Sequence, residues 1–395
     1  MNPLQQLQSR GVVFLVPEAT YVAADVNPAR IAPGVTVHPG CRLSGAKLSV
    51  GLGSVIGAEA PATVVDCQLG AKVHLAGGYF ERATFLDGFK AGSGAHVRPG
   101  CLFEEESSIA HTVGVKQTVF LPWVTAGSLI NFCDCLMAGG TGRKSHSEIG
   151  SSYIHFNFTP HQDKATASLI GDVPRGVLLN QPAIFLGGQG GLVGPCVIEY
   201  GTVIPAGQIW RGDVTEPGRL VAKPLLRSTI NTPYDSRLYH GVKRVLRNNL
   251  LYIGNILALD LWYRVFRAPF MQADPYQAAC YAGARGRLAE ILEERLSRLD
   301  ELAKKVAQSL ALDQGSPVAE EHRAFAAQWP AMKDALTARL SARESAVVPE
   351  AVQAIVASLP AKSYLSEVQS LPSEAVQALT AWLSASAAAC SALQR

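Results

Sequence analysis

Charged residues are scarce in this 395-residue chain, at 17%, whereas hydrophobic residues make up 48%. A disordered protein would be polar and highly charged, so this composition excludes one. The net charge of +3 is too small to indicate nucleic-acid binding by itself. The length allows two or three domains, and the apolar content suits a core that runs along a repetitive fold.

Signals for export, membrane insertion and metal binding are also missing. The first ten residues are polar and contain no apolar stretch of the kind a signal peptide needs. The segment 250–266 comes closest to a membrane span, but polar and charged residues interrupt it. The eight cysteines include no CxxC pair, and Cys133 and Cys135 do not have zinc spacing. We therefore predict a cytoplasmic protein with reduced, mostly buried thiols.

A six-residue repeat is the strongest positive feature. Residues 31–36 (IAPGVT) are followed by 37–42 (VHPGCR), and related units return at 197–209 (VIEYGTVIPAGQI). An aliphatic residue every six, followed closely by Gly, Ala or Pro, is typical of a β-helix, in which the aliphatic positions stack into ladders. We predict a lead-in at 1–26 and a parallel β-helix over 27–214.

The second half of the chain has a different texture. Residues 215–225 are rich in Pro and Gly and are interpreted as a linker, and 226–395 carry apolar residues three or four apart, which predicts an all-α region. The basic and aromatic stretch around 243–270 has two interpretations. It either lies on a membrane surface or, as we favour, covers the open end of the β-helix or packs between subunits.

Several segments resemble successive coils of one enzyme family. They are 94–100 (GAHVRPG), 115–116 (VK), 126–129 (AGSL), 153–158 (YIHFNF), 168–172 (SLIGD), 192–195 (LVGP) and 203–207 (VIPAG). The family is the bifunctional UDP-N-acetylglucosamine pyrophosphorylase/glucosamine-1-phosphate N-acetyltransferase, and the likeness is to its C-terminal left-handed β-helix half, over about 10–215. The resemblance implies a homotrimer with sites in clefts between subunits and acetyl-CoA as co-substrate. Ten residues precede the match, so neither pyrophosphorylase activity nor its Mg²⁺ is expected.

The resemblance also assigns residues. It implies that Arg98 and Lys116 bind substrate phosphate and that Asn157 contacts the sugar. Phe158 stands where the family has a tyrosine, and Lys164 lies near a third basic position. Gly188 and Ala206 are assigned to the acetyl-CoA site.

The chain departs from the family at the catalytic position. Ser128 replaces the histidine base, Asn131 replaces a tyrosine, and an insertion at about 137–147 brings Arg143, Lys144 and His146. Acetyl transfer to an amine needs a base with a pKa near neutral, so His146 on the insertion is the first candidate. The catalytic set is therefore predicted as His146, Ser128 and Asn131. The other nearby histidines, His111, His155 and His161, are ranked lower.

Basic residues suggest an anion site, whereas a metal site is not expected. The cluster comprises Arg98, Lys116, Arg143, Lys144, Lys164 and Arg175. The glycine-rich run at 187–194 lacks the ending of a phosphate loop and is better explained by solenoid corners. Asn131, Asp134 and Glu148 have no spacing that singles out a metal.

Two functions remain open on the sequence. The first is transfer of an acetyl group from acetyl-CoA to an amino-sugar phosphate or a nucleotide amino sugar. The alternative is a non-catalytic regulator or scaffold that binds a sugar nucleotide and has lost the catalytic histidine. A third interpretation makes the helical region a module that recruits a partner.

Overall fold

The N-terminal half forms a left-handed parallel β-helix of about ten coils, followed by a helical region. This computed structural model describes residues 2–158, 164–223, 235, 237–239, 241–312, 317–360 and 363–394. The described strands run from Val13 to Arg211, so the first coil uses part of the predicted lead-in. Each coil contributes short strands to three faces, here called faces I, II and III in chain order.

The strands of each face pair in parallel, coil on coil. Face I contains Val13–Phe14, Thr36–Val37, Val55–Ile56, His74–Leu75, Lys90–Ala91, Ser108–Ile109, Thr125–Ala126, Glu148–Ile149, Phe185–Leu186 and Val203–Ile204. Face II contains Tyr21–Val22, Arg42–Ser44, Ala62–Val65, Gly78–Glu81, Ala95–Val97, Ile154–Phe156, Gly191–Val193 and Ile209–Arg211. Face III contains Ser49–Val50, Gln68–Leu69, Ala83–Phe85, Cys101–Phe103, Ser168–Ile170 and Val197–Ile198. The longer strands Gly114–Phe120 and Asn131–Met137 pass from face II into face III.

The interior is filled by stacked apolar side chains, as the repeat predicts. Phe85 and Phe103, one coil apart, stack with ring centroids 5.4 Å apart, and Phe120 continues the ladder at 5.3 Å from Phe103. The corners between faces I and II need a left-handed residue in each coil, which explains the positive φ of Thr112 and Leu129.

The predicted insertion is a β-hairpin between faces III and I. Its strands, Gly140–Gly142 and Ser145–His146, pair antiparallel. It follows the face III part of Asn131–Met137 and precedes the face I strand Glu148–Ile149.

Eight α-helices are described. They are α1 Pro3–Ser9, α2 Val173–Gly176, α3 Val242–Trp262, α4 Pro275–Leu312, α5 Pro317–Ala342, α6 Glu350–Ala357, α7 Tyr364–Gln369 and α8 Ser373–Ser391. Helix α5 continues through Pro330, and so begins well before the stretch 331–346 whose apolar periodicity predicts a helix. A π-helical turn, Tyr263–Arg267, extends α3.

The helical region lies along face III rather than over an open end, which corrects the prediction. Helix α4 contacts the face III strands from Ser49–Val50 to Cys101–Phe103, and α3 contacts Ser168–Ile170. Side chains alternate along a strand, so Leu102, Val119 and Leu136, which each precede an interior residue, point outward. All three are fully buried beneath the helices. Face III is therefore buried on both sides.

Buried ion pairs and hydrogen bonds fasten the helices to the β-helix. The guanidinium of Arg267 pairs with Glu104 and Glu105 at the corner between faces III and I, and Tyr263 donates to Glu104 at 2.7 Å. Arg267 and Glu104 are both fully buried. Desolvation is the largest influence on Glu104 and raises the pKa of its carboxyl to about 7.

All eight cysteines are unpaired and buried. The segment Ser373–Gln394 is the one described helix whose length and composition would allow it to cross a membrane. Its Leu379, Leu383 and Ala387 are buried, and the helix packs against α3.

Candidate functional site

Two of the predicted phosphate-binding residues share one groove on face II. Arg98 and Lys116 occupy equivalent positions in neighbouring coils, because Val97 pairs with Val115 and each basic residue comes next. Both line a depression of about 730 Å³ together with Tyr79, Glu81 and His96. Glu294 of α4 also lines it, so the helical region forms one wall. The groove combines three cations, Arg82, Arg98 and Lys116, with aromatic and acidic side chains.

Asn131 lies on the same face, one coil beyond Lys116, and a buried thiol links it to Arg98. The Arg98 guanidinium donates to Cys133 Sγ at 3.1 Å, and the Cys133 thiol donates to Asn131 Oδ1 at 3.4 Å. Burial raises the pKa of Cys133 to about 11, although Arg98 opposes the shift. The thiol is therefore neutral at physiological pH, and it orients Arg98 rather than acting as a nucleophile.

Ser128 stands at the corner between faces I and II, beside a histidine of the preceding coil. The corner residues form a column, Ser93, His111, Ser128, Ser151, Gly188 and Ala206, because the face I strands before them are in register. Ser128 Oγ lies 2.8 Å from Nδ1 of His111. The Ser128 backbone N–H donates to Ser151 Oγ at 3.1 Å. The structure thus places an imidazole within hydrogen-bonding distance of the position where the family has its base.

Gly188 and Ala206, the two residues assigned to acetyl-CoA, continue this column beyond Ser151. Successive coils are about 4.8 Å apart, so Gly188 lies roughly 10 Å and Ala206 roughly 14 Å from Ser128 along the corner. A side chain at Gly187 would collide with the backbone of Ala206. The first part of the glycine-rich run forms the corner between faces I and II, as the sequence interpretation has it, and Gly191–Val193 continues as a face II strand.

Asn157 belongs to a second cluster, at the corner between faces II and III. Its amide donates to Asp134 Oδ2 at 2.7 Å, and Asp134 Oδ1 accepts from Arg295 of α4 at 2.6 Å. Arg295 also donates to the backbone carbonyl of Lys164 at 3.1 Å. The Lys164 side chain and Phe158 are exposed.

The hairpin residues are not brought to this site. Arg143 donates to the backbone carbonyls of Glu106 and Trp123, at 2.5 and 3.2 Å. Nδ1 of His146 lies 2.9 Å from the Arg143 carbonyl. Because the hairpin lies between faces III and I, the width of face I separates His146 from Ser128, and Lys144 lies beside it, exposed. His146 therefore does not reach the vacated base position, contrary to the sequence-based assignment.

The remaining candidates have structural roles or lie elsewhere. Arg175 pairs with Asp172 and Glu199, so its charge is already neutralised. His155 is 1% exposed, with Nε2 at 2.8 Å from Ser168 Oγ. His161 lies outside the described residues. Among those that are described, no group of three or more His, Cys, Asp or Glu side chains is arranged to hold a metal.

Curated relatives match the β-helix part of the chain. The bifunctional protein GlmU of Trichlorobacter lovleyi is 28% identical over 219 residues, which is 55% of this chain and 42% of the relative. A protein of the same name from a Thermotoga species is 26% identical over 54% of this chain and 43% of the relative. Another from Thermus thermophilus is 33% identical over 38% of this chain and 30% of the relative. The match spans less than half of each relative's length, and no protein-family model matches.

The β-helix resembles the acetyltransferase half of these proteins. Sequence and fold together support an acyltransferase-like protein.

Sequence reasoning ranked one key residue low and missed another. His111 lies one coil, or 17 residues, before Ser128, and this spacing was a usable signal once the coils were aligned by their face I strands. Arg295 gave no such signal, because it reaches the β-helix from a helix 161 residues beyond Asp134.

Proposed function

We propose that the protein transfers an acetyl group from acetyl-CoA to the amine of an amino-sugar phosphate or a nucleotide amino sugar. The observation that carries the proposal is the placement of Arg98 and Lys116 in one groove, on the face bordered by the hydrogen-bonded pair of His111 and Ser128. Cations hold the phosphate, and the pair supplies the proton acceptor. Asn131 and Asn157 are the proposed sugar contacts.

The His111–Ser128 pair replaces His146 as the proposed proton acceptor. The amine attacks the thioester carbonyl, so that a C–N bond forms and the C–S bond breaks. The Ser128 hydroxyl takes the amine proton as its own proton passes to Nδ1 of His111, which lies 2.8 Å away. Coenzyme A leaves as a thiolate and then takes up that proton. Histidine suits this role because its ordinary pKa is close to neutral.

The column beyond Ser128 is the proposed course for acetyl-CoA. Its corner residues, Ser151, Gly188 and Ala206, are small, so an extended thioester arm can lie close to the backbone. The resemblance implies a cytoplasmic homotrimer. Because the chain's own helices cover face III, we propose that a neighbouring subunit approaches face I or face II.

Acetylation by the purified protein tests the proposal directly. Glucosamine-1-phosphate and a panel of UDP-amino sugars are each incubated with acetyl-CoA, and release of free thiol is followed. We expect turnover with at least one acceptor. We also expect His111→Ala to lower kcat by about 10²–10⁴-fold, the usual contribution of a general base.

Two further histidine variants make the test specific. His74→Ala, on face I two coils before His111, is the matched control and should retain full activity. His146→Ala decides between the two assignments, because a loss there with no loss in His111→Ala contradicts the relay. Absence of turnover on every acceptor contradicts acetyl transfer altogether.

Replacement of the family's histidine by Ser128 favours the second candidate, a non-catalytic protein that binds a sugar nucleotide. Calorimetry with UDP-N-acetylglucosamine separates the two functions. Binding that depends on Arg98 and Lys116, without turnover on any acceptor, supports a regulator or scaffold.

A further inference from the structure

Two aromatic rings lie side by side on the outer surface of face II, next to the phosphate-binding cations. Tyr79 and His96 pair directly across neighbouring coils, and their ring centroids are 5.3 Å apart at an interplanar angle of 72°. Both line the same groove as Arg98 and Lys116. His96 is exposed and Tyr79 is half-buried. A sugar phosphate of one ring uses the cations and leaves this aromatic pair unoccupied.

The spacing between rings and cations fits a nucleotide. His96 and Arg98 are two residues apart on one edge of face II, which places their Cα atoms about 7 Å apart. Lys116 lies one coil beyond Arg98, and Tyr79 lies one coil before His96. A planar base on the rings therefore leaves its ribose and two phosphates to extend over Arg98 and Lys116. The groove volume of about 730 Å³ is within the usual range for small-molecule sites, about 300–1,000 Å³.

Two carboxylates also line the groove, Glu81 on the Tyr79 strand and Glu294 on α4. Glu81 accepts from the Tyr79 hydroxyl at 3.2 Å, and Glu294 of α4 is held by Arg298 at 2.7 Å. Carboxylates accept hydrogen bonds from ribose hydroxyls and base N–H groups, and they repel phosphate. Glu81 lies one coil before Arg98, on the side away from Lys116, so it favours a ligand whose phosphates extend toward Lys116.

We propose that the acceptor is a nucleotide sugar, with its base packed against Tyr79 and His96, parallel to one ring and edge-on to the other, and its diphosphate on Arg98 and Lys116. This inference rests on the proposed function and narrows its substrate class to a sugar linked to a nucleoside diphosphate. Stacking of a base on an aromatic side chain tolerates different bases, so the class is defined by the nucleoside diphosphate.

Calorimetry on the full-length protein tests the proposal with UDP, GDP, UDP-N-acetylglucosamine and glucosamine-1-phosphate as probes. We expect a nucleoside diphosphate to bind at least 10-fold more tightly than glucosamine-1-phosphate. His96→Ala and Tyr79→Ala should each weaken nucleotide binding about 5- to 100-fold, the usual effect of removing one stacked base contact. Neither should change the affinity for glucosamine-1-phosphate by more than about twofold.

Two controls protect the result from folding effects. Tyr79→Phe keeps the ring and loses only the bond to Glu81, so it should bind nucleotide nearly as well as the native protein. Tyr21→Ala removes an exposed tyrosine from the same edge of face II, three coils before Tyr79, and should have no effect.

The outcomes separate this inference from the proposed function. Nucleotide binding that requires Tyr79 and His96, without acetyl transfer, supports the site and contradicts the enzyme. If the protein acetylates glucosamine-1-phosphate and binds nucleotides no more tightly than this sugar phosphate, the nucleotide site is contradicted, whereas the proposed acetyl transfer is retained. The site is also overturned if both alanine variants lose affinity for nucleotide and for glucosamine-1-phosphate equally. It is overturned as well if neither variant changes the affinity for nucleotide.

Discussion

His155 is a titratable residue that the fold keeps uncharged. It points into the β-helix between Phe132 and Leu192, and its ring lies 5.8 Å from that of Phe132. Burial lowers the pKa of its imidazole to about 4, outweighing the opposite influence of Asp134. The unfolded chain takes up a proton near pH 6.5, whereas the folded protein does so only near pH 4. Stability is therefore lost as the pH falls through this interval.

His155→Gln should remove this pH dependence. The native protein should lose up to about 3 kcal/mol of unfolding free energy between pH 7 and pH 4 through this one residue, since a shift of one pKa unit corresponds to about 1.4 kcal/mol. The glutamine can keep a hydrogen bond to Ser168 without titrating. Calorimetric melting at pH 7.5, 6.0 and 4.5 measures the effect. His96→Gln, on the surface, is the control, and parallel curves for the native protein and His155→Gln contradict the prediction.

A site residue can be predicted from the sequence when its own strand or coil carries the pattern that places it. A contact between coils is harder to predict. Arg98 and Lys116 were assigned from the family resemblance, and their equivalent positions in adjacent coils bring them together. The contact between His111 and Ser128 needs the coils to be aligned first. His146 was misplaced, since spacing does not say at which corner a hairpin projects.

The contact between the helices and face III shows, at the scale of elements, how far the sequence can predict packing. Apolar triplets at 101–103 (CLF) and 135–137 (CLM) break the alternation expected of strands exposed on one side. This pattern is typical of a face covered on both sides, although we predicted the helices at the open end or between subunits. It did not say which helix covers it, because docking depends on contacts between residues distant in sequence.

Two glycines of α4 test how closely this helix approaches face III. At Gly283 an added methyl group would collide with Gln68 Oε1 and lie 2.7 Å from Thr84 Oγ1. These two groups share a buried hydrogen bond of 3.0 Å. Gly283→Ala should therefore destabilise the protein by about 1–3 kcal/mol, as overpacking commonly does.

Gly286, one turn further on, has nothing within 4 Å of an added methyl group. Gly286→Ala is the matched control and should stabilise the protein by up to about 1 kcal/mol, because alanine favours the helix. Thermal melting of both variants gives the comparison. Equal effects of the two substitutions would place α4 further from the sheet than the structure does.

At the scale of the whole molecule, Arg295 connects the helical region to the cluster of Asp134 and Asn157, a proposed sugar contact. It is 1% exposed and reaches Asp134, which in turn holds Asn157, while its second hydrogen bond fixes the Lys164 carbonyl. Two proposed substrate-binding residues are thus oriented by a helix outside the β-helix. We interpret Arg295 as a positioning residue.

Arg295→Met should loosen the Asn157 cluster as well as lower stability. Removing one partner of a buried ion pair typically costs about 3–5 kcal/mol, so stability alone is not diagnostic. Arg285→Met is the matched control, since Arg285 pairs at 3.0 Å with the buried Asp260 within the helical region. We expect faster amide hydrogen exchange at Ala165–Ala167 and about 5- to 50-fold weaker nucleotide-sugar binding in Arg295→Met alone. Arg295→Lys should restore part of both, because it returns a cation to Asp134. If Arg285→Met produces the same exchange and affinity changes, the coupling reflects general destabilisation and the positioning role of Arg295 is contradicted.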